Sequence, residues 1–131
     1  MSIVLIVDDN PLMRDPIAQS LRSAGYETLC AENGAAALDL LRLLPVDLII
    51  LDLFMPLMGG TEFLEALRSS SATASIPVIL LSASEDSEEL QLARQHGIQA
   101  SLTKTHFKLR ELVAMVRREL SATAGKSKRA G

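Results

Sequence analysis

Five polar residues of this sequence follow short apolar runs, and together their side chains have the chemistry to handle a phosphoryl group. They are Asp8, Asp9, Asp52, Ser82 and Lys104. Carboxylate oxygens are good ligands for Mg2+, which proteins usually hold with one or two carboxylates plus a substrate phosphate. A lysine amine is a compact positive charge that suits a phosphate oxygen, and a serine hydroxyl can donate a hydrogen bond to it.

Asp52 is the candidate nucleophile among these residues, because it follows the apolar run predicted to be the central strand. Its carboxylate is already deprotonated at neutral pH and needs no separate base. Its attack on phosphorus would give an acyl phosphate. If Asp52 lies beside Asp8 and Asp9, the three carboxylates will repel one another strongly in a partly desolvated cleft. A bound hard cation removes that repulsion, so we predict Mg2+ as the cofactor.

Short aliphatic runs predict the strands that would position these residues. A continuous apolar run of strand length is typical of a strand that a parallel sheet buries on both faces. The runs span residues 3–7, 27–31, 48–51, 78–81 and 100–103. Four of these runs end immediately before a candidate residue, which places the candidates at the carboxyl ends of strands.

Helical patterns lie between the apolar runs. Asn33 is a candidate N-cap for the first clear helix, and Gly97 is expected to close the helix that a capping box opens at residues 86–89. Apolar residues at helical spacing predict the remaining ranges, which are 35–44, 61–69 and 108–120.

Pro16 disturbs the segment that follows the first strand. A proline inside a helix removes one backbone hydrogen bond and clashes with the preceding turn. The sequence therefore predicts either a kink near Met13 and Arg14, or an irregular turn followed by a helix that begins at Pro16 with Asp15 as its cap.

The alternation of strands and helices predicts an α/β fold in which a doubly wound, five-stranded parallel sheet carries helices on both faces. Such sheets bind ligands beyond the carboxyl ends of their strands, at the topological switch point. The same rule brings the five candidate residues to one edge of the sheet.

Four segments follow one another along the chain: the acidic pair in Ile6-Val7-Asp8-Asp9, the segment from Asp52 to Gly60, the strand from Pro77 to Ala83, and the segment from Gly97 to Lys104. In this order they resemble the receiver domains of two-component response regulators, with Asp52 to Gly60 as the phosphoacceptor segment and Pro77 to Ala83 as the Thr/Ser strand. The resemblance covers residues 2–120. It implies a flavodoxin-like strand order, 2-1-3-4-5. Residues 121–131 have no apolar stripe that could offset the entropy of ordering them, so we expect a disordered basic tail or linker there.

The resemblance also implies a set of roles. Asp52 would take a phosphoryl group from the phosphohistidine of a histidine kinase or a phosphotransfer protein, with Lys104 and Ser82 acting on that group. Asp9, Asp52 and the backbone carbonyl of Phe54 would ligate Mg2+ directly, and Asp8 would help mainly through water. The domain would be no enzyme in the ordinary sense, but a signalling phosphoacceptor that assists its own phosphoryl transfer and acyl-phosphate hydrolysis.

Two residues depart from the family pattern and keep a second interpretation open. Ser101 stands where the family usually has an aromatic residue, and Thr105 stands where it usually has proline. The alternative is a receiver-like interaction module that acts independently of phosphorylation. Either protein would act through a downstream partner or an output domain absent from this sequence, and a weak homodimer through the last strand and helix stays open.

Composition excludes several other classes of protein. The net charge is −3, and the tail holds Lys126, Lys128 and Arg129 without an acid. The rest of the chain is therefore too acidic to favour direct nucleic-acid binding.

The single Cys30 allows no disulfide framework and indicates a reducing compartment. Charged residues interrupt the most apolar region, so we expect no membrane span and a cytoplasmic location. A flavin or nucleotide enzyme would need a phosphate-binding loop where Asp8 and Asp9 stand.

Overall fold

Aliphatic strands form the centre of the fold. The computed structural model describes residues 2–53, 60–82, 88–98, 100–104 and 107–130, with the backbone alone for residue 89 and residues 123–130. All neighbouring strands pair in parallel, in the order β2-β1-β3-β4-β5. The strands are β1 (Ile3–Val7), β2 (Glu27–Ala31), β3 (Leu48–Asp52), β4 (Val78–Ser82) and β5 (Ala100–Thr103).

The sheet agrees with the predicted fold class and strand order. Strands β3 and β4 are buried at every position, as continuous apolar runs in a parallel sheet should be. Each extends one residue beyond its apolar run and so includes Asp52 or Ser82 as its last residue. Asp52 and Ser82 therefore belong to the strands, whereas Asp8, Asp9 and Lys104 follow them.

Helices cover both faces of the sheet. They are α1 (Pro11–Ser23), α2 (Gly34–Leu43), α3 (Gly60–Ser69), α4 (Glu88–Arg94) and α5 (Leu109–Ala130). Helices α1 and α5 pack on one face over a core that includes Ile6 and Ile50, and α2, α3 and α4 pack on the other over a core that includes Leu5 and Leu51. Adjacent residues of β1 and β3 thus enter opposite cores, which confirms the doubly wound architecture. None of the helices in the described ranges is long and apolar enough to span a membrane.

Helix α1 begins before Pro16 and contains it. The Asn10 side chain accepts a hydrogen bond from the backbone N–H of Leu12, and Pro11 occupies the first turn. The predicted helix beginning at Pro16 is therefore wrong, because the chain already has a cap and a favourable first residue upstream. Burial of Ile17, Ala18 and Leu21 helps to offset the hydrogen bond that proline removes. The predicted kink stays a prediction.

Helix α5 continues to Ala130, past Leu120, where the apolar stripe ends. This differs from the predicted disordered tail. Extending an existing helix avoids the unfavourable nucleation step, which gives a physical reason for the difference. Leu120 is the last buried residue among the side chains described for this helix. A domain boundary near residue 120 and a tail that is disordered in solution remain predictions.

Arg68, on the last turn of α3, forms hydrogen bonds with the backbone segments that precede β4 and β5. Its guanidinium donates to four backbone carbonyl oxygens: those of His96 (2.8 Å), Ala74 (2.9 Å), Ile76 (2.8 Å) and Gly97 (2.7 Å). Burial lowers the pKa of this guanidinium from its ordinary value. One side chain therefore joins α3, the segment before β4 and the turn before β5.

Gly97 closes α4 as predicted. Its φ of 72° lies in the left-handed region, which glycine adopts without the steric cost that a Cβ imposes. The backbone N–H of Gly97 donates to the carbonyl oxygen of Arg94 at 3.2 Å. The predicted capping box stays a prediction, because Asp86 and Ser87 lie outside the described residues.

Candidate functional site

The carboxyl ends of the strands bring the candidate residues together. In the strand register, Asp52 pairs with Leu81 and Ser82 pairs with Thr103. The backbone N–H of Lys104 donates to the carbonyl oxygen of Ser82 at 2.8 Å, which places the lysine directly after β5. Asp52, Ser82 and Lys104 thus come from three adjacent strands at the same edge of the sheet.

Three carboxylates form a compact acidic cluster at this edge. One oxygen from each of Asp8, Asp9 and Asp52 lies within 4.8 Å of the others. Asp8 and Asp52 are buried, at 0% and 1% exposure, whereas Asp9 is exposed. The cluster is therefore open on the side of Asp9 and shielded from water on the side of the sheet.

Lys104 is the nearest cation to this cluster among the described residues. Its Nζ atom lies 3.0 Å from Oδ2 of Asp52 and 3.8 Å from Oδ2 of Asp8. The first distance is that of a close ion pair, and the second is that of a looser one. One positive charge partly offsets three negative charges, so the site retains attraction for a further cation.

Asp8 has the bonding pattern expected of a metal-site carboxylate. Oδ1 accepts a hydrogen bond from the backbone N–H of Asn10 at 2.9 Å. Oδ2 is buried and accepts no hydrogen bond from the described part of the chain. Buried carboxylate oxygens ordinarily have a partner, and oxygen donors of this type suit Mg2+. The residues present therefore fit the predicted cation.

Glycine at position 60 brings the start of α3 against the end of β3. A Cβ built at Gly60 would lie 2.8 Å from Cα of Leu53 and 2.9 Å from its carbonyl oxygen, which is closer than a real Cβ approaches. The backbone N–H of Gly60 donates to that same oxygen at 3.0 Å. The absence of a side chain at Gly60 therefore allows this close approach, and the hydrogen bond holds the backbone of Leu53, the residue after Asp52.

Of the other residues singled out from the sequence, the structure describes Ser82 and Ser101 but not Phe54 and Thr105. Ser82 is 1% exposed and lies at the predicted strand end. Ser101 is half-buried on β5 and pairs with Leu80. Phe54, whose carbonyl is a predicted metal ligand, and Thr105 lie outside the described residues.

Two residues near the site were missed by sequence reasoning. Asn10 precedes Pro11, and this pair is a recognisable helix start that could have been found. Arg14 donates from Nη1 to the backbone carbonyl oxygen of Asp8 at 2.9 Å. Spacing along the chain gives no signal for that contact, because it depends on how α1 packs on the sheet.

A comparison with protein families identifies this arrangement. A family model described as the response regulator receiver domain matches residues 4–117. The chain belongs to this family. It is thus a receiver domain of two-component signalling, and the five-stranded order described above is the one that its structural neighbours share.

The curated relatives of this receiver domain are longer proteins. It is 35% identical over 117 residues to the DNA-binding response regulator MtrA of Mycolicibacterium smegmatis, a match that covers 89% of this chain and 50% of that protein. The chain spans about half the length of the curated relatives it matches.

Solved structures of receiver domains superpose closely on this one. The chemotaxis protein CheY4 of Vibrio cholerae is 33% identical, with a TM-score of 0.83 over 90% of this chain and 98% of that chain. The receiver domain of the sensor histidine kinase PA1611 from Pseudomonas aeruginosa is 27% identical, with a TM-score of 0.84 over 92% and 98% of the two chains. That structure has a magnesium ion coordinated in its active-site cleft.

Proposed function

We propose that this receiver domain is a Mg2+-dependent phosphoacceptor, in which Asp52 takes a phosphoryl group from a phosphohistidine. The donor would be a histidine kinase or a phosphotransfer protein. The observation that carries the proposal is the cluster of three carboxylates with Lys104 Nζ at 3.0 Å from Asp52. A structural ion pair would not need two further carboxylates within 4.8 Å, since their mutual repulsion lowers stability.

The transfer forms one bond and breaks one. A carboxylate oxygen of Asp52 attacks phosphorus in line with the P–N bond of the donor, the bonding pair returns to the imidazole, and an acyl phosphate remains on Asp52. Asp8, Asp9 and Asp52 would hold Mg2+, which would supply positive charge against the phosphoryl oxygens. The burial of Asp52 excludes bulk water on the side of the sheet.

Lys104 and Ser82 would act on the phosphoryl group after transfer. Phosphorylation converts the Asp52 carboxylate into a group with more negative charge and more acceptor oxygens. The Lys104 amine, already beside Asp52, would bind one of these oxygens, and the Ser82 hydroxyl would donate to another. Ser82 ends β4, the neighbour of β3, and the Lys104 amine already lies 3.0 Å from Asp52, so each can respond to the modification without a large movement.

Partner switching would follow from the response of Ser82. Ser101, where the family usually has an aromatic residue, has too little side-chain area to supply a large packing difference between two states. We therefore expect the signal to pass through Ser82 and the residues after it to a downstream protein or an output domain. If Ser101→Ala abolishes the phosphate-dependent change in amide exchange and Ser82→Ala does not, this route is wrong.

The alternative function is partner binding that does not depend on phosphorylation. One experiment distinguishes it from the phosphoacceptor function. The protein is incubated with a small phosphodonor such as acetyl phosphate, with and without Mg2+, and its intact mass is measured. We expect a mass gain of one phosphoryl group in the wild type and in Asp39→Asn, an exposed control carboxylate. Asp52→Asn and the chelated wild type should show no gain. Equal phosphorylation of Asp52→Asn and wild type would refute the proposal.

A further inference from the structure

Arg14 contacts the backbone that carries the two carboxylates after β1. Its Nη1 atom donates a 2.9 Å hydrogen bond to the carbonyl oxygen of Asp8. That oxygen belongs to the planar peptide group between Asp8 and Asp9, so the bond restricts the direction in which the Asp9 side chain leaves the backbone. The Arg14 side chain is 19% exposed, which limits competition from water for this hydrogen bond.

Asp8 and Asp9 differ in how firmly they are held without Arg14. The backbone N–H of Asp8 donates to Ala31 at 3.0 Å, and its carboxylate accepts from Asn10 at 2.9 Å. The Asp9 side chain is exposed, and within the described ranges it forms no hydrogen bond or ion pair. The orientation of Asp9 therefore depends on the peptide group that Arg14 holds.

Electrostatic repulsion makes that restraint matter. Asp9 lies within 4.8 Å of two buried carboxylates, and without a cation this repulsion favours rotation of Asp9 towards solvent. Restraining the peptide group keeps the three oxygens close together before a cation arrives. Preorganisation of this kind raises affinity because less ordering remains to be done on binding.

We propose that Arg14 is a positioning residue for the Mg2+ site, acting through the peptide group between Asp8 and Asp9. This inference rests on the proposed function. Arg14 touches no reacting atom, so its effect falls on cation affinity and not on the phosphoryl transfer itself. Lysine is an imperfect replacement, because its ammonium lacks the planar, directed donors of a guanidinium.

The test measures Mg2+ affinity by titration calorimetry for the wild type, Arg14→Met, Arg14→Lys and a control. The control is Arg22→Met, which removes the same guanidinium and charge from the same helix, but at an exposed site bonded to Thr28 Oγ1. Loss of an outer-shell partner typically weakens metal binding 10–100-fold, and we expect about 10-fold for Arg14→Met. Arg14→Lys should be intermediate and Arg22→Met unchanged.

The rate of phosphorylation by acetyl phosphate separates positioning from a general structural role. We expect Arg14→Met to be slow at low Mg2+ and to approach the wild-type rate at saturating Mg2+. A purely structural role would lower the melting temperature and leave the affinity of the folded protein unchanged. If Arg14→Met does not fold, Arg14→Lys decides, with weaker binding than Arg22→Met as the expected result.

The experiments distinguish failure of the proposed function from failure of the positioning role of Arg14. Absence of Mg2+ binding in the wild type would overturn the proposed function, and this inference with it. Binding in the wild type together with equal affinities in Arg22→Met and the folded Arg14 variants would overturn the positioning role alone.

Discussion

Arg68→Met tests how much one half-buried guanidinium contributes to this fold. The substitution keeps the aliphatic stem and removes all four hydrogen bonds to backbone carbonyls. Those to Ala74 and Gly97 are exposed, so water can replace the lost donor there. The bonds to His96 and Ile76 are partly buried, so water replaces the lost donor less well at those two carbonyl oxygens.

The expected loss follows from the two shielded bonds. A hydrogen bond to a charged group contributes about 1.5–3 kcal/mol, and bonds made by a single group are not fully additive. We therefore expect Arg68→Met to lower the free energy of unfolding by about 3 kcal/mol. For a domain of this size the melting temperature should fall by roughly 10 °C. Arg68→Lys should lose less, because an ammonium can still reach one or two of the carbonyl oxygens.

Urea unfolding followed by circular dichroism measures this loss. Arg42→Met is the matched control, since Arg42 is exposed and pairs only with the exposed Asp39 among the described side chains, an interaction that contributes about 0–1 kcal/mol. Mg2+ affinity should stay unchanged in Arg68→Met, because Arg68 lies at the opposite end of the sheet from the carboxylates. If Arg68→Met and Arg42→Met unfold within about 0.5 kcal/mol of each other, the reasoning is refuted.

Four further predictions concern the site and the ends of the chain. Gly60→Ala should destabilise the domain by about 2 kcal/mol in urea unfolding, because its Cβ would overlap the backbone of Leu53; an unchanged midpoint would contradict the close approach. Lys104→Met should lower the unfolding free energy by about 3 kcal/mol without Mg2+, since it leaves buried Asp52 without its counter-ion. Saturating Mg2+ should recover most of that loss, and an equal loss with and without Mg2+ would count against a cation site. Cys30 is exposed, but desolvation by the surrounding protein raises the pKa of its thiol, so at neutral pH iodoacetamide should alkylate it more slowly in the folded protein than in urea; equal rates would contradict this. Truncation after Leu120 should change stability by less than about 0.5 kcal/mol, and a larger loss or helical amide shifts beyond that residue would contradict a disordered tail.

Much of the fold follows from local patterns in the sequence. The bounds of β1, β2 and β5 agree with the apolar runs, and Asn33 caps α2 as predicted. These features depend on neighbouring residues, so hydrophobic periodicity and capping chemistry are enough to find them. Strands β3 and β4 run one residue further than predicted because the hydrogen-bonded ladder continues through Asp52 and Ser82 whatever their side chains.

The candidate site was partly predictable for a different reason. In a parallel sheet, residues at the carboxyl ends of strands must meet, so Asp8, Asp52, Ser82 and Lys104 could be placed together before any coordinates. The contacts of Arg14 and Arg68 could not be predicted. Arg68 reaches carbonyls 28 and 29 residues away, and no local pattern specifies which carbonyl a long side chain will find.

Chemical trapping of the acyl phosphate is the most direct test of the central claim. Borohydride reduces an aspartyl phosphate to homoserine and releases phosphate, and peptide mass spectrometry then locates the homoserine. After treatment with acetyl phosphate and Mg2+, we expect homoserine at position 52 alone, and none when Mg2+ is chelated. Homoserine at Asp8 or Asp9 in place of Asp52, or none at any position, would contradict the assignment of Asp52 as the phosphoacceptor.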